Sequence, residues 1–169
     1  MDARPSLNPA VAAIRTLFDA AACSVALVDD AGATLVYVAA SGEGAAEIVG
    51  VELPVTRGIA GWTAMSGQPI AVRDVETDAR FARDVAEATH YVPASILAAP
   101  LFDDEGEVSG VLSVLDPGVD QSADWTLAVL GTLASLVGLL VPGEEDDADD
   151  ARLAALGRRV LTAVEELGP

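Results

Sequence analysis

The sequence predicts one α+β domain, in which an antiparallel sheet is combined with helices near the two ends of the chain. Two pairs of short apolar runs are each separated by an acidic turn that contains glycine, at residues 29–32 and 103–106, and this pattern is typical of β-hairpins. Apolar residues at helical spacing precede the first hairpin and follow the second. Hairpins imply antiparallel pairing, and the helices do not alternate with the strands. A doubly wound parallel sheet is therefore excluded.

The first elements are a helix and a hairpin. Asn8 is expected to cap the helix, with Pro9 at its first helical position. The apolar positions of this helix recur at helical spacing: Val11, Ile14, Leu17 and Phe18. The hairpin consists of strands at residues 23–28 and 34–40, where β-branched and aromatic side chains are frequent.

The middle of the chain predicts shorter elements. A weak strand at residues 51–55 is followed by a short helix within residues 57–67, which Gly67 ends. A strand at residues 69–73, a polar loop at 74–80 and a short helix at 81–89 come next. The second hairpin then pairs residues 95–102 with residues 108–115.

A long helix at residues 124–141 is apolar nearly all round. One apolar stripe contains Leu127, Leu130, Ala134, Val137 and Val141, and a neighbouring stripe contains Val129, Leu133, Leu136 and Leu140. One sheet covers only one stripe, so the second predicts a homodimer that this helix forms together with the first helix. Gly131, Ala134 and Gly138 would allow close approach. Residues 125–143 have nearly the length of a membrane span, but their acidic flanks favour a buried helix instead.

Composition excludes several classes of function. Acidic residues outnumber basic ones by 27 to 9, and every basic residue apart from the single His is Arg, which argues against nucleic acid and membrane surfaces as partners. One Cys excludes an internal disulfide and a thiolate zinc cluster, and one His excludes a multi-histidine metal site. No cofactor is therefore expected. The acidity itself is explained by a solvated surface, by a high-salt habitat or by a cationic partner.

The sequence also predicts where the protein is located and where its domain begins and ends. No secretory signal is visible, and the free Cys23 suits a reducing compartment, so we expect a cytoplasmic protein. The boundaries that we predict are a tail at residues 1–9, a domain at 10–141, an acidic linker at 142–150 and an amphipathic helix at 151–169.

Six segments, in this order and spacing, resemble the GAF domain family. They are GIAGW at residues 58–62, SGQPI at 66–70, VRDV at 72–75, DARF at 78–81, SILAAPL at 95–101 and GEVSGVL at 106–112. The resemblance covers about residues 10–141. It implies a central antiparallel sheet with the terminal helices packed on one face and a ligand-type pocket on the other.

The resemblance also implies a small-molecule site or a dimerisation role. It places six candidate ligand-binding residues in the pocket: Trp62, Asp74, Phe81, His90, Tyr91 and Ser95. The aromatic side chains could instead be core residues. Residues 87–97 resemble the branch of the family that binds cyclic nucleotides, but Asp116–Pro117 stands where that branch carries Asn-Lys.

The predicted function is that of a non-catalytic sensory or regulatory module in signal transduction, which acts as a homodimer. Its expected partners are a small-molecule ligand and a signalling protein. One alternative is a structural dimerisation module whose pocket is filled by side chains. A second alternative is a free methionine sulfoxide reductase, for which Cys23 is poorly placed because it lies in a strand rather than in a pocket loop.

Overall fold

A six-stranded antiparallel sheet forms the centre of the fold, as the hairpin patterns predict. The structure is a computed structural model that describes residues 6–141, so the predicted linker at 142–150 and the predicted helix at 151–169 lie outside the described residues. The strands lie in the order β3-β2-β1-β6-β5-β4. Their bounds are β1 Ala22–Val28, β2 Thr34–Gly42, β3 Glu52–Pro54, β4 Ile70–Val72, β5 Ile96–Phe102 and β6 Val108–Leu115.

The helices surround this sheet. Their bounds are α1 Asn8–Leu17, α2 Ala45–Ile48, α3 Gly58–Ser66, α4 Arg83–Ala88 and α5 Asp124–Gly138, and a 3-10 turn spans Val75–Thr77. Gly67 ends α3 in the left-handed conformation, as predicted. The sequence did not predict α2, because its four residues are too few to show a periodic pattern. Helix α5 ends three residues before the predicted position.

The predicted cap at Asn8 is wrong. Helix α1 begins one residue earlier than expected, so Asn8 is its first helical residue and Leu7 occupies the cap position. The side chain of Ser6 instead accepts a hydrogen bond from the backbone N–H of Asn8, at 3.4 Å. The helix therefore starts two residues inside the predicted tail at 1–9.

The terminal helices cover one side of the sheet, which we call the helix face. Helix α1 packs against β1 and β2, and α5 packs against β5 and β6. The side chains enclosed between them are large and almost fully buried, and they include Val11, Phe18, Val25, Leu97, Leu101, Leu112, Val114 and Leu130. This arrangement confirms that the terminal helices share a face.

The opposite side of the sheet, which we call the pocket face, is only partly covered by α3. Ile59 and Ala60 of α3 pack on a buried apolar cluster that includes Ala26, Ala98 and Val111. The strand pairing places Ala22, Ser24 and Ala26 on the same face of β1, so the row of side chains continues beyond this cluster. The far end of the row lies beneath α2 and α4, where the side chains are small.

Helix α5 buries one of its two apolar stripes. Leu130 and Ala134 are 0% exposed against the sheet, whereas Leu136 in the second stripe is 54% exposed. A Cβ added at Gly138 would lie 2.9 Å from the carbonyl oxygen of Phe102. Ala134 and Gly138 therefore bring α5 close to its own sheet, which corrects the expectation that they face a second chain. Among residues 6–141, no helix is long and apolar enough to cross a membrane.

Candidate functional site

A cavity lies on the pocket face, between the sheet and the segments around α2 and α4. Its floor consists of small side chains from three adjacent strands, namely Ala22, Ser24, Ala40 and Ser113. The space that the centre of a water-sized sphere can occupy is about 100 Å³. One water needs about 10–15 Å³ by this measure, so the cavity has room for a small organic molecule.

The walls of the cavity are mainly apolar. Three aromatic residues, Tyr37, Phe81 and Tyr91, line it together with aliphatic residues such as Ile48, Leu53, Ile59, Val85, Ile96 and Leu115. Gly44 has a φ of +68°, and a Cβ at this position would lie 3.1 Å from the carbonyl oxygen of Thr89. A glycine is therefore needed where the start of α2 approaches the end of α4 and closes one side of the cavity.

Two serine hydroxyls lie at the bottom of the cavity. Ser24 and Ser113 are direct partners across β1 and β6, and they are 8% and 7% exposed. Neither hydroxyl has a hydrogen-bond partner among residues 6–141, and neither belongs to the fully buried unpaired side-chain atoms of this part of the chain, so both are open to the cavity. A molecule in the cavity can therefore form hydrogen bonds with both. Tyr37 also lines the cavity, and burial raises its pKa to about 12.

Tyr91 is held in the cavity wall by Asp116. Its hydroxyl donates a hydrogen bond to the Asp116 carboxylate, which also accepts the backbone N–H groups of Ala94 and Ser95, each at 2.9 Å. Burial, together with the hydrogen bond to this carboxylate, raises the pKa of Tyr91 well above its ordinary value. The tyrosine is therefore a neutral donor, and the wall segment before β5 is tied to the turn after β6.

The structure brings two of the six candidate residues into the cavity, Phe81 and Tyr91. Trp62 lies beside the cavity, in a surface groove whose wall it shares with Phe81. The guanidinium of Arg80 stacks 4.9 Å from the centre of the Trp62 ring. Trp62 is thus half-buried at the surface rather than in the core.

The other three candidates lie outside the described lining of the cavity. Asp74 is exposed, and its carboxylate accepts the N–H of Glu76 at 3.2 Å at the start of the 3-10 turn. His90 is exposed and has a φ of 59°. Ser95 is buried, and its hydroxyl accepts a hydrogen bond from the side chain of Gln121 at 2.9 Å. Their contact with a ligand remains a prediction.

The residues of the floor and of one rim were not predicted from the sequence. Ser24, Ser113, Tyr37, Glu43 and Thr89 all line the cavity. A signal for two of them was present, because Ser24 and Ser113 are polar interruptions of apolar runs that were already assigned as strands. Strand alternation would have placed both on the face opposite Cys23 and Leu112.

Cys23 borders the cavity but is not accessible from it. The residue is 0% exposed and alternates with Ala22 and Ser24 along β1, so its side chain lies on the helix face. Burial raises the pKa of the Cys23 thiol to about 12, against a smaller opposing effect of Arg15. The thiol is therefore protonated at neutral pH and out of reach of a molecule in the cavity.

One family model matches most of this chain, and two curated proteins match shorter segments of it. The family model that matches is described as the GAF domain, and it covers residues 2–141. The dual 3',5'-cyclic-AMP and -GMP phosphodiesterase 11A of Takifugu rubripes is 30% identical over 86 residues, which are 51% of this chain and 9% of that protein. A dual phosphodiesterase 11 of Drosophila melanogaster is 37% identical over 59 residues, which are 35% of this chain and 4% of that protein.

Solved structures share the fold. The GAF domain of an Acinetobacter phosphoenolpyruvate-protein phosphotransferase is 21% identical with a TM-score of 0.68, over 90% of this chain and 84% of that one. The free methionine-R-sulfoxide reductase of Neisseria meningitidis is 24% identical with a TM-score of 0.65, over 79% of this chain and 74% of that one. The second GAF domain of DevS from Mycobacterium smegmatis is 21% identical with a TM-score of 0.62, over 92% and 96%.

The family match and the architecture agree. The matched residues 2–141 include every strand and helix described above. The neighbouring structures, which are less than 25% identical, independently support the fold. On this evidence the chain belongs to the GAF domain family.

Proposed function

We propose that this GAF domain is a non-catalytic sensory module of signal transduction, which binds a small molecule in the cavity and acts as a homodimer. The observation that carries the proposal is the contrast between the two faces of the sheet. The pocket face leaves a cavity above the hydroxyls of Ser24 and Ser113, which have no partner among the described residues, whereas the helix face is filled by large side chains and α5 exposes apolar side chains on its outer side. Binding on one face would then be passed to a signalling protein partner through the dimer.

The relatives support an auxiliary role for such a domain. Both matched phosphodiesterases are far longer than this chain, because the matched segments make up 9% and 4% of them. A domain of this kind is thus found as a small part of larger enzymes. A regulatory role is consistent with that arrangement, and it does not require the domain to catalyse a reaction.

The buried Cys23 supports the absence of catalysis. A thiol that acts on a substrate has to be accessible and partly ionised, and Cys23 is neither. We expect no thiol-dependent turnover of free methionine sulfoxide in a coupled assay. Turnover that disappears in Cys23→Ser would show that the module is an enzyme after all.

Ligand binding is tested by filling the cavity. We would purify the protein without denaturation, look for a retained ligand by native mass spectrometry, and follow the ring signals of Tyr37 and Tyr91 by NMR during a fragment screen. Binding molecules should shift both tyrosines in the wild type. Ser113→Leu should abolish these shifts, because the added side chain occupies the floor, while Ser122→Leu at the surface should not.

The outcomes separate the proposal from its alternative. Tyrosine signals that respond to no fragment, or that respond equally in Ser113→Leu, would contradict a ligand-binding cavity. If the protein were still dimeric in that case, the structural dimerisation module would be the better description. The exposed side of α5 is the observation that favours this second candidate.

The dimer is proposed to form through the uncovered stripe of α5. Leu136 on α5 is 54% exposed, Leu139 and Leu140 directly after the helix are 76% and 44% exposed, and Trp125 in its first turn is 54% exposed. Monomers rarely leave such a patch in water, and a two-fold axis lets the same stripe cover itself. The outer side of α5 would then be buried against the second copy, while its inner side is buried against the sheet.

Light scattering tests this interface. We expect a dimer at concentrations of about tens of micromolar, and a monomer when Leu136→Glu and Leu140→Glu are combined. Met65→Glu serves as a matched control, because Met65 is 67% exposed on α3, away from this interface. A monomeric wild type, or a double variant that stays dimeric, would contradict the interface.

A further inference from the structure

The charges around the cavity indicate the class of ligand, on the condition that the cavity binds one as proposed above. Among the described residues that line it, Glu43 is the one that carries a full charge at neutral pH. None of the described basic residues contributes to the lining: Arg15, Arg57, Arg73, Arg80, Arg83 and His90. The electrostatic environment of the site is therefore negative.

The nearby arginines are also engaged elsewhere. Arg57 is 2.6 Å from Asp84, and Arg83 is 3.7 Å from Glu76. Arg80 pairs with Asp78 and stacks on Trp62 outside the cavity. Arg15 lies on the opposite face, where its Nε donates to the carbonyl oxygens of Ala20 and Ala21 at 3.2 Å. Recruiting one of these side chains to an anion would break contacts that the fold already makes.

Glu43 stands at the rim next to Tyr91. Its backbone N–H donates to the carbonyl oxygen of Ala21 at 3.0 Å, which fixes the chain directly after β2. Its charge adds to the effects of burial and of Asp116 that keep the Tyr91 hydroxyl protonated. Two carboxylates thus lie on the Tyr91 side of the cavity, and a carboxylate or phosphate entering there would be repelled by both.

Hydrogen-bond donors inside the cavity do not make its electrostatic environment positive. The first turn of α3 contributes Gly58, Ile59 and Ala60 to the wall, and N–H groups of a first turn have no partner within the helix. Such a helix end carries about half a positive charge and favours anions, but this partial charge is smaller than the full negative charges of Glu43 and Asp116. Its N–H groups can equally donate to a neutral carbonyl or hydroxyl oxygen. The hydroxyls of Ser24 and Ser113 offer the same kind of neutral hydrogen bond.

We infer that the cavity takes an uncharged or cationic small molecule and rejects anions. The preferred ligand carries a hydrogen-bonding group that reaches Ser24 and Ser113 and an amine that lies near Glu43. Its body is flat and apolar, since Tyr37, Phe81 and Tyr91 line the walls. Cyclic nucleotides, which carry a phosphate, fall outside this class.

The test uses probes that share one flat body and differ in charge. Tryptamine, tryptophol and indole-3-acetate present an indole ring with an amine, a hydroxyl and a carboxylate. At low salt we expect tryptamine to bind at least about tenfold more tightly than indole-3-acetate, with tryptophol between them, because close charges attract or repel most strongly when they are not screened. Affinities are read from the NMR shifts of Tyr37 and Tyr91, with cyclic AMP as a further anion.

Two variants separate the effect of Glu43 from the net charge of the protein. Glu43→Gln should bring tryptamine close to the affinity of tryptophol. Glu47→Gln removes the same charge from the exposed side of α2, outside the lining, and should leave the order of the probes unchanged. An equal effect of both variants would overturn the role of Glu43.

The remaining outcomes distinguish this inference from the proposed function. If indole-3-acetate or cyclic AMP shifts the two tyrosines at concentrations as low as tryptamine does, the inferred ligand class is wrong and the cavity remains a binding site. If no probe and no fragment shifts either tyrosine at millimolar concentration, the proposed function fails together with this inference.

Discussion

The two faces of the sheet use the same strands for different purposes. On the helix face, Leu97, Leu112 and Val114 are completely buried beneath α1 and α5. On the pocket face, the alternating positions include Ala22, Ser24 and Ser113, which leave a cavity above them. The comparison teaches that large side chains fill the helix face, whereas the pocket face is packed only beneath α3 and leaves space for a ligand beneath α2 and α4.

The largest effect that tests this comparison uses two neighbouring residues of β6. Leu112→Ala should lower the free energy of unfolding by about 2–5 kcal/mol, because it opens a void among close-packed side chains. Ser113→Ala should change it by less than about 1 kcal/mol, because the serine hydroxyl lacks a protein partner. Urea denaturation of both variants measures the difference.

The result also reports on the cavity. A Ser113→Ala variant that lost as much stability as Leu112→Ala would mean that the pocket face is packed like the helix face. The proposed binding site would then have to be abandoned.

Local sequence patterns predicted most of the strands and helices of the fold. The two acidic turns and the runs beside them predicted all four long strands to within two residues, and Gly67 predicted the end of α3. The start of α1 was predicted less well, because Asn8 and Pro9 suit two adjacent starting positions. Helix α5 ends at Gly138, where it lies close to the backbone of Phe102, although the apolar periodicity in the sequence continues to residue 141.

The site was predicted only in part, since a cavity is formed by residues distant in sequence. Phe81 and Tyr91 were found because the family resemblance extends through their segments. Glu43 and Thr89 were not predicted because they line the same cavity only when the start of α2 approaches the end of α4 at Gly44. Asp74 and Ser95 were chosen for their polarity, which the structure uses for a turn and for the contact with Gln121.

A smaller effect compares the two faces through their pH dependence. Burial raises the pKa of Cys23 from 9.0 and that of Tyr37 from 10.0, each to about 12. The unfolded chain therefore loses these protons at a lower pH than the folded protein does. Their contributions to stability are complete below pH 9 and 10 and are lost as the pH rises toward about 12, at up to about 1.4 kcal/mol per pH unit for each group.

Two variants show how much of the loss of stability at alkaline pH comes from each face of the sheet. Cys23→Ala should remove the part that begins near pH 9, in thermal unfolding measured from pH 7 to 11. The part that begins near pH 10 belongs to Tyr37 and Tyr91 together, because the pKa of Tyr91 is raised as well, so Tyr37→Phe should remove only the share of Tyr37. A ligand in the cavity should alter only the part that belongs to the two tyrosines, because both line the cavity and Cys23 faces away from it. A loss that keeps its size and onset in Cys23→Ala would contradict the burial of the thiol.

The smallest expected effect compares two glycines of α5, Gly131 in the middle of the helix and Gly138 at its end. A Cβ at Gly131 meets nothing within 4 Å, whereas a Cβ at Gly138 would lie 2.9 Å from the backbone oxygen of Phe102. Gly131→Ala should therefore stabilise the fold by up to about 1 kcal/mol, which is the difference in helix propensity. Gly138→Ala should destabilise it by roughly 1 kcal/mol, because the strain of moving α5 away from β5 exceeds that gain.

Both glycine variants are measured by urea denaturation in the double variant Leu136→Glu and Leu140→Glu. This background is expected to be monomeric, so that the proposed dimer does not contribute to either measurement. If Gly131→Ala weakens the dimer of the otherwise native chain, Gly131 lies at the contact between the two copies. If Gly131→Ala instead destabilises the monomeric double variant, this side of α5 is already covered within one chain.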